Sequence, residues 1–259
     1  MASGRDRGDV LLRDVSVDGK GRLSLDSCRM SRLLPGICAA FVVLSLAGCG
    51  GGGGGVSAVK LVTESADRTV VVKSFHVTID IENVPRSTSG LQLTAAEGDV
   101  VAPDRFRAQV SGTFAGIALT TQLVAVGGKL WIKNPLTGSW QKVDVGTTPA
   151  FLLDPQKGVL GVMTSVTDLK SDGSEDIGDV PTLRVRGKAD VTKVAPLVAV
   201  SAGKGTVEVT LWIGKDDKLL RRIRVLGAVA KGEPAEATRV VEISRFGEKV
   251  TIKAPEGAK

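Results

Sequence analysis

Apolar residues recur at helical spacing over residues 57–73 and then alternate with polar residues along most of the chain that follows. The helical stripe consists of Val59, Val62, Ala66 and Val70. Its period predicts one amphipathic helix, with its apolar side turned toward a packing partner.

Strict alternation begins at Phe75 and is typical of strands that have one apolar and one polar face. Gly127 and Gly128 predict a two-residue hairpin, and residues 112–116 and 134–138 predict two further connections. The last strand is expected to help cover an edge of the sheet. The predicted strands cover residues 75–82, a segment from 91, and residues 105–110, 117–123, 129–133, 140–145, 169–172, 182–187, 206–213, 219–229 and 237–245.

Two later segments return to helical spacing. Asp154 can cap a helix and Pro155 suits its first position, so a second helix is expected to run on from there toward residue 166. Residues 190–200 predict a short helix that Pro196 interrupts. The whole pattern predicts an α+β fold, in which a strongly curved, mostly antiparallel sheet (a half β-barrel) wraps over a few helices on its apolar face.

Small residues occupy several positions where the strands should face the helices. Small side chains opposite apolar helices leave volume, which is either closed by collapse of the core or kept as a cavity for an apolar ligand. The pattern alone leaves both outcomes open. The small residues concerned are Ala108, Gly112, Ala115, Gly116 and Ala118.

The segment from Met30 to Gly55 has the features of a lipoprotein signal followed by a tether. Arg29 and Arg32 precede an apolar run of 14 residues, 33–46, which is shorter than the ~20 residues that a membrane-spanning helix needs. Leu46-Ala47-Gly48-Cys49 has the form of a lipobox, and glycines follow it. We therefore predict lipidation at Cys49; the alternative is a secretory signal with an incidental cysteine.

This segment also sets the expected domain boundaries. Residues 1–29 have mixed charge and are expected to be a misassigned translation start or a long n-region. The signal peptide then covers 30–48, the lipidated cysteine and glycine tether 49–56, the folded domain 57–255 and a short tail 256–259. The mature protein is expected to be exported and lipid-anchored to the outer face of the cell membrane.

Charge and composition exclude several classes of function. Of the 34 basic and 28 acidic residues, seven and five precede Cys49, which leaves a net charge of +4 on the remainder. No basic run interleaved with aromatic residues is present, so we expect no nucleic-acid partner. The chain has one histidine, His76, and Cys49 is the one cysteine after the signal. We therefore expect no enzyme, no cofactor and no metal site.

His76 falls on the polar side of a predicted strand and is expected to be exposed. The acidic run at residues 171–179, SDGSEDIGD, is expected to be a solvated turn. Loose calcium binding is the alternative for that run, which lacks the spacing of an EF-hand.

Several segments, in their order and spacing, resemble the LppX/LprA/LprF/LprG lipoprotein family of mycobacteria and their relatives. They are Leu153-Asp154-Pro155, Gly158-Val159-Leu160 with a helix running to Val166-Thr167-Asp168, and residues 183–188, 209–213 and 244–250. The resemblance implies a half β-barrel that encloses an apolar cavity and carries acylated lipids or glycolipids across the cell envelope. It also implies a major facilitator efflux pump as a candidate partner.

With that family in view, apolar positions on the inward side of the predicted elements become candidates for the cavity lining. A structural or interaction lipoprotein, with a filled core and a protein partner, is the alternative function. The candidate lining residues are Val77, Ile79, Ala108, Val110, Leu119, Leu123, Val159, Met163, Val166 and Leu211.

Overall fold

The computed structural model describes residues 57–85, 91–143, 158–198 and 200–256. Cys49, the signal segment and Asp154–Pro155 lie outside the described residues. Within them the chain forms one sheet of eleven strands and three short helices, α1 Ala58–Val70, α2 Val159–Ser165 and α3 Val191–Val194, the last followed by a 3-10 turn, Ala195–Val198. The strands are β1 Ser74–Glu82, β2 Leu91–Val101, β3 Arg105–Phe114, β4 Ile117–Val126, β5 Lys129–Lys133, β6 Trp140–Val143, β7 Thr167–Ile177, β8 Val180–Asp190, β9 Thr206–Gly214, β10 Leu220–Leu226 and β11 Thr238–Ser244.

The sheet consists of two meanders that meet at its centre, the first formed by β1–β6 and the second by β7–β11. Its order is β6-β5-β4-β3-β2-β1-β11-β10-β9-β8-β7, and every described pair is antiparallel. Strands β6 and β7 are the two edges, so the sheet is open. The expectation that the last strand covers an edge is wrong, because β11 pairs with both β1 and β10. Its Val241 and Ile243 lie beside Ile79 and Val77, which joins the apolar rows of the two meanders.

One face of the sheet carries the core, and we call it the inner face. Val209, Leu211 and Ile223 on this face are fully buried, as are Val162 and Met163 of α2. The helices pack on the apolar face, as predicted. They cover the second meander, since α1 lies against β7, β9 and β10 and both α2 and α3 lie against β8. Among the described residues no helix is long and apolar enough to span a membrane.

Strand β3 is longer than its sequence pattern predicts. Residues 112–114 continue the strand, because β2 pairs with it as far as Phe114. The turn is Ala115–Gly116, whose φ angles of 49° and 81° are typical of a two-residue hairpin loop. This register places Ala118 on the outer face, so its assignment to the helix-facing side was wrong.

The acidic run at 171–179 is also different from its prediction. Residues 171–177 belong to β7, and only Gly178–Asp179 form the turn. The strand tolerates its acidic side chains because β8 supplies partners: Arg184 Nε lies 2.8 Å and Arg186 Nη2 2.9 Å from Asp172 Oδ2. Among the described residues no group of three or more His, Cys, Asp or Glu side chains could hold a metal ion.

The ends of the helices have local causes. Asp190 caps α3 by accepting a hydrogen bond from the Thr192 amide at 2.8 Å, and the predicted interruption at Pro196 is the 3-10 turn. Helix α2 ends at Ser165, because Val166 adopts an extended conformation. The expected continuation through Thr167 and Asp168 is therefore wrong, and these residues begin β7.

Candidate functional site: the inner face of the sheet

The helices cover the inner face of the second meander and leave the inner face of the first meander partly open. Antiparallel hairpins place the Ala115–Gly116 turn and the 134–139 loop at the same end of the sheet, which we call the tip end. The Gly127–Gly128 turn lies at the opposite, base end. Along β3 the inner side chains pass from buried Phe106 and Ala108 at the base to an exposed Phe114 at the tip. An apolar strip is thus accessible toward the tip end of the first meander.

The ten candidate lining residues all lie on the inner face or on the helices that pack against it. Seven of them are buried in the main core: Val77, Ile79, Ala108, Val159, Met163, Val166 and Leu211. The other three, Val110, Leu119 and Leu123, are half-buried and belong to the open strip of β3 and β4. Their role as a ligand lining stays a prediction.

Cross-strand register adds inner-face residues that the pattern had not singled out. Val100, Phe106, Ala125 and Leu130 lie side by side on β2 to β5 and close the base end of the strip. Pairing of β3 with β4 also aligns Phe114 with Ile117 at the tip. Alternation alone marks these residues as apolar, but it does not show which of them are neighbours.

Not every small inner residue marks free volume. A Cβ placed on Gly98 would lie 2.7 Å from both Cα and Cβ of Ala108. A Cβ on Gly112 would lie 3.2 Å from the carbonyl carbon of Gln92. These two glycines therefore serve the close approach of β2 and β3. Their smallness is not evidence for a cavity.

A buried ion pair interrupts the apolar inner face near the tip end of the second meander. Arg239 is 2% exposed and stands between Ile81 and Val225 in the sheet. Its Nη2 donates to Glu233 Oε1, and its Nη1 donates to the Gly227 carbonyl at 3.4 Å. The other carboxylate oxygen of Glu233 accepts from the backbone amides of residues 229 and 230, at 2.8 and 3.1 Å. One carboxylate thus holds the 227–237 loop against the end of the core.

The outer face carries a polar cluster around Asp99. His76 Nδ1 donates to Asp99 Oδ1 at 2.8 Å and Arg107 Nη2 donates to Oδ2 at 3.0 Å. Burial would raise the pKa of Asp99, but these hydrogen bonds and the charges of their donors outweigh it and lower the pKa. His76 is half-buried rather than exposed, since it packs into this cluster. The cluster links β1, β2 and β3, and we assign it a structural role for that reason.

Asp99→Asn should lower the free energy of unfolding by about 1 kcal/mol at neutral pH, because it removes a charged acceptor for His76 and Arg107. A carboxyl whose pKa is lowered by folding stabilises the fold above its unfolded-state pKa, and this contribution is lost as the pH falls through the folded-state value. Urea unfolding across the acid range should therefore show a shallower decline for Asp99→Asn than for the native chain. Asp80→Asn, an exposed position on the same face of β1, is the control, and equal declines for both variants would contradict the assignment.

The sequence and the fold together define the class of this protein: a lipoprotein domain made of one open antiparallel sheet with helices on its apolar face. The chain belongs to the LppX_LprAFG lipoprotein family, whose model matches residues 57–252. It is 27% identical over 239 residues to the lipoarabinomannan carrier protein LprG of Mycobacterium tuberculosis, covering 88% of this chain and 96% of the relative. It is 26% identical to the putative lipoprotein LprA of Mycobacterium bovis, covering 83% and 93% of the two chains.

Solved structures show the same fold. LprF from Mycobacterium bovis matches with a TM-score of 0.62 at 20% identity, covering 77% of this chain and 97% of that chain. LppX from Mycobacterium tuberculosis matches with a TM-score of 0.56 at 21% identity, covering 76% and 98%. Almost the whole of each crystallised chain corresponds to the domain described above. That domain, residues 52–259, is also a compact unit of this chain, so it is a suitable part to study alone.

Proposed function

We propose that this protein binds acylated lipids or glycolipids on the inner face of its sheet and carries them between layers of the cell envelope. The observation that carries the proposal is the graded burial of the inner face. The inner side chains of β3 and β4 pass from buried Ala108 through half-buried Val110, Leu119 and Leu123 to exposed Phe114 and Ile117 at the tip. Such a row offers acyl chains a mostly apolar surface, with Thr121 as its polar member, that begins inside the domain and ends in solvent.

Burial of methylenes supplies the affinity in this proposal. Each buried methylene contributes ~0.8 kcal/mol, so acyl chains packed over Val110, Leu119 and Leu123 gain affinity without a specific polar partner. The cavity that we propose forms between this strip and the helices. Support comes from the relatives, since LprG is named a lipoarabinomannan carrier protein. No reaction is part of this function, and a major facilitator efflux pump is a proposed partner that the family resemblance suggests.

The anchor is a second part of the proposal. Cys49 would carry a diacylglyceryl group and hold the mature domain to the outer face of the cell membrane, since two acyl chains give stable anchoring where one does not. Radiolabelled palmitate should enter the full-length chain but not its Cys49→Ala variant. Cys38→Ala is the matched control, because Cys38 lies within the apolar run of the signal. Incorporation into Cys49→Ala would contradict the anchor.

Transfer between vesicles tests the carrier function. Donor vesicles contain a fluorescent diacyl lipid at a self-quenching concentration, and acceptor vesicles contain none. The domain, residues 52–259, should increase the rate of dequenching in proportion to its concentration. A rate equal to spontaneous transfer at every protein concentration would contradict the proposal.

The alternative function, a structural or interaction lipoprotein with a filled core, has support in the second meander. Val209, Leu211, Ile213 and Ile223 are fully buried there, with α1 packed over the same strands. Under this alternative the first meander is a docking surface for a protein, the domain takes up no lipid, and changes at Val110 or Leu123 only lower its stability.

A further inference from the structure

The tip end of the sheet exposes large apolar side chains on two separate connections. Phe114 and Ile117 flank the Ala115–Gly116 turn and are 55% and 72% exposed, and Leu136 in the 134–139 loop is 94% exposed. Among the described residues, the other exposed large apolar side chains are Val59, Val70 and Val71, all on α1 or directly after it. Three of the six exposed large apolar side chains among the described residues thus lie on two connections at the tip end of the first meander.

The β3–β4 hairpin projects beyond its neighbour on one side. Strand β5 pairs with β4 only from Leu123 toward the base, whereas β3 and β4 stay paired out to Phe114 and Ile117. These two side chains lie on the inner side of the hairpin, in line with Val110 and Leu119. The hairpin thus extends the apolar strip past the end of the β4–β5 pairing, with β2 alongside it as far as Phe114.

Helix α1 shows which end of the domain receives the tether. Its first turn is at the tip end, where Val59 shares a groove with Asp168, Lys188 and Glu208 at the tip ends of β7, β8 and β9. Its last turn is at the base end, where Thr69 Oγ1 accepts from the Leu220 amide at 3.3 Å. The chain from the N-terminal segment therefore joins the domain at the end that carries Phe114, Ile117 and Leu136.

Chain length then limits the distance to the anchor. Eight peptide units separate Cys49 from Ser57, and eight residues span at most about 28 Å when fully extended. A lipid anchor at Cys49 keeps the start of α1 within that distance of the bilayer surface. The β3–β4 hairpin lies at the same end of the sheet, five strand positions from β9, which is about 24 Å at ~4.8 Å per strand. A domain that turns its tip end toward the bilayer therefore brings its apolar turns to the same surface.

We propose that the β3–β4 hairpin tip, with Leu136 beside it, inserts into the lipid bilayer and delivers acyl chains to the inner face. The inference rests on the proposed anchor and deepens the proposed function, because it assigns the end of the domain at which lipid enters. Residues 114–117 (Phe-Ala-Gly-Ile) carry no charge, which suits insertion into the apolar layer of a membrane. Binding should therefore occur on neutral lipid and persist at high salt, where attraction between exposed charges is screened.

Flotation of the domain, residues 52–259, with phosphatidylcholine vesicles tests the proposal, since this segment lacks Cys49 and so has no acyl anchor. Phe114→Ser with Ile117→Ser should lower the partition coefficient at least about tenfold, as expected when two large apolar side chains lose their transfer to an apolar phase. The matched control is Val70→Ser with Val71→Ser, which removes two exposed valines from the base end of α1. Its partition coefficient should stay within about twofold of the native value.

A second measurement covers the case in which the double variant fails to fold. The 52–259 segment has no cysteine, so Ile117→Cys and Val71→Cys each accept one environment-sensitive dye. Vesicles should shift the emission of the dye to the blue at position 117 and leave it unchanged at position 71. Equal shifts at the two positions, equal partitioning of the two serine double variants, or loss of binding in high salt would overturn the proposal.

The outcome for the tip can be distinguished from the outcome for the carrier function. If the native domain takes up lipid but the tip variants bind vesicles as the native domain does, the tip inference alone fails. If the native domain takes up no lipid, the carrier proposal fails, and the dye at position 117 still reports whether the tip enters a bilayer. If a soluble protein shifts the emission of the dye at position 117 to the blue and vesicles do not, the tip is a protein-docking site and the inference is overturned.

Discussion

Val110→Trp should remove most of the lipid-binding capacity of the domain. Val110 is half-buried on the inner face of β3, between Ala96 on β2 and Thr121 on β4. An indole at this position would fill space over the strip that acyl chains are proposed to occupy. Displacing about three methylenes at ~0.8 kcal/mol each costs ~2.4 kcal/mol, which is roughly 60-fold in affinity. Titration with a fluorescent acyl probe measures the change.

Gln109→Trp is the matched control for this variant. Gln109 is the preceding residue on the same strand, exposed on the outer face, so the same substitution adds the same indole on the opposite side of the sheet. We expect its affinity for the acyl probe to equal that of the native domain. Equal affinities for Val110→Trp and Gln109→Trp, in variants with native circular dichroism, would show that lipid does not bind on the inner face.

Glu233→Ala should lower the free energy of unfolding by about 3–5 kcal/mol, the range seen when one partner of a buried ion pair is removed. The variant leaves the Arg239 guanidinium buried without its carboxylate. It also frees the backbone amides of residues 229 and 230, which donate to Glu233. Urea unfolding of the domain measures the loss.

Adding Arg239→Met tests whether the uncompensated charge causes this loss. The double variant should be more stable than Glu233→Ala alone, because it no longer contains the buried guanidinium that Glu233→Ala leaves without a counter-ion. Glu236→Ala, an exposed position in the same loop, should change stability by no more than about 0.5 kcal/mol. A loss for Glu233→Ala no larger than that of Glu236→Ala would mean that the pair does not hold the loop.

Much of the fold could be predicted from local pattern. The alternation over Phe75–Glu82 predicts β1 nearly to the residue, and the helical spacing from Val59 to Val70 predicts the extent of α1. The predicted packing face of α1 is wrong, because Val59 and Val70 are exposed. The buried residues of the helix are Leu61, Val62, Ser65 and Thr69. The glycine pair at 127 and 128 marks the β4–β5 turn correctly. These features depend on residues close together in the chain, so local periodicity is enough to predict them.

Features that depend on distant partners could not be predicted in this way. Strand β11 lies at the centre of the sheet because β1 offers it an apolar row more than 150 residues earlier in the chain. Residues 171–177 form a strand because Arg184 and Arg186 lie across from their carboxylates. Arg239 occupies an inner position because the 227–237 loop brings Glu233 to it.

In the candidate site, too, local pattern predicts some features, whereas others depend on residues distant in the chain. Alternation placed Val110, Leu119 and Leu123 on the inner side, but it did not show that they are the accessible part of that face. Their exposure follows from the arrangement of α1 and α2, which cover the second meander instead. Phe114 and Ile117 were missed because residues 112–116 were interpreted as a connection, and only the pairing of β2 with β3 reveals the longer hairpin.

Native mass spectrometry of the domain tests the central claim most directly. The domain, residues 52–259, is incubated with vesicles of a diacyl phosphatidylethanolamine, separated from them and sprayed without detergent. We predict a polypeptide mass increased by that of one acylated lipid. The fraction of protein molecules that carry this lipid should fall sharply in Val110→Trp and stay unchanged in Gln109→Trp. The bare polypeptide mass for the native domain, under conditions that preserve its fold, would contradict the account.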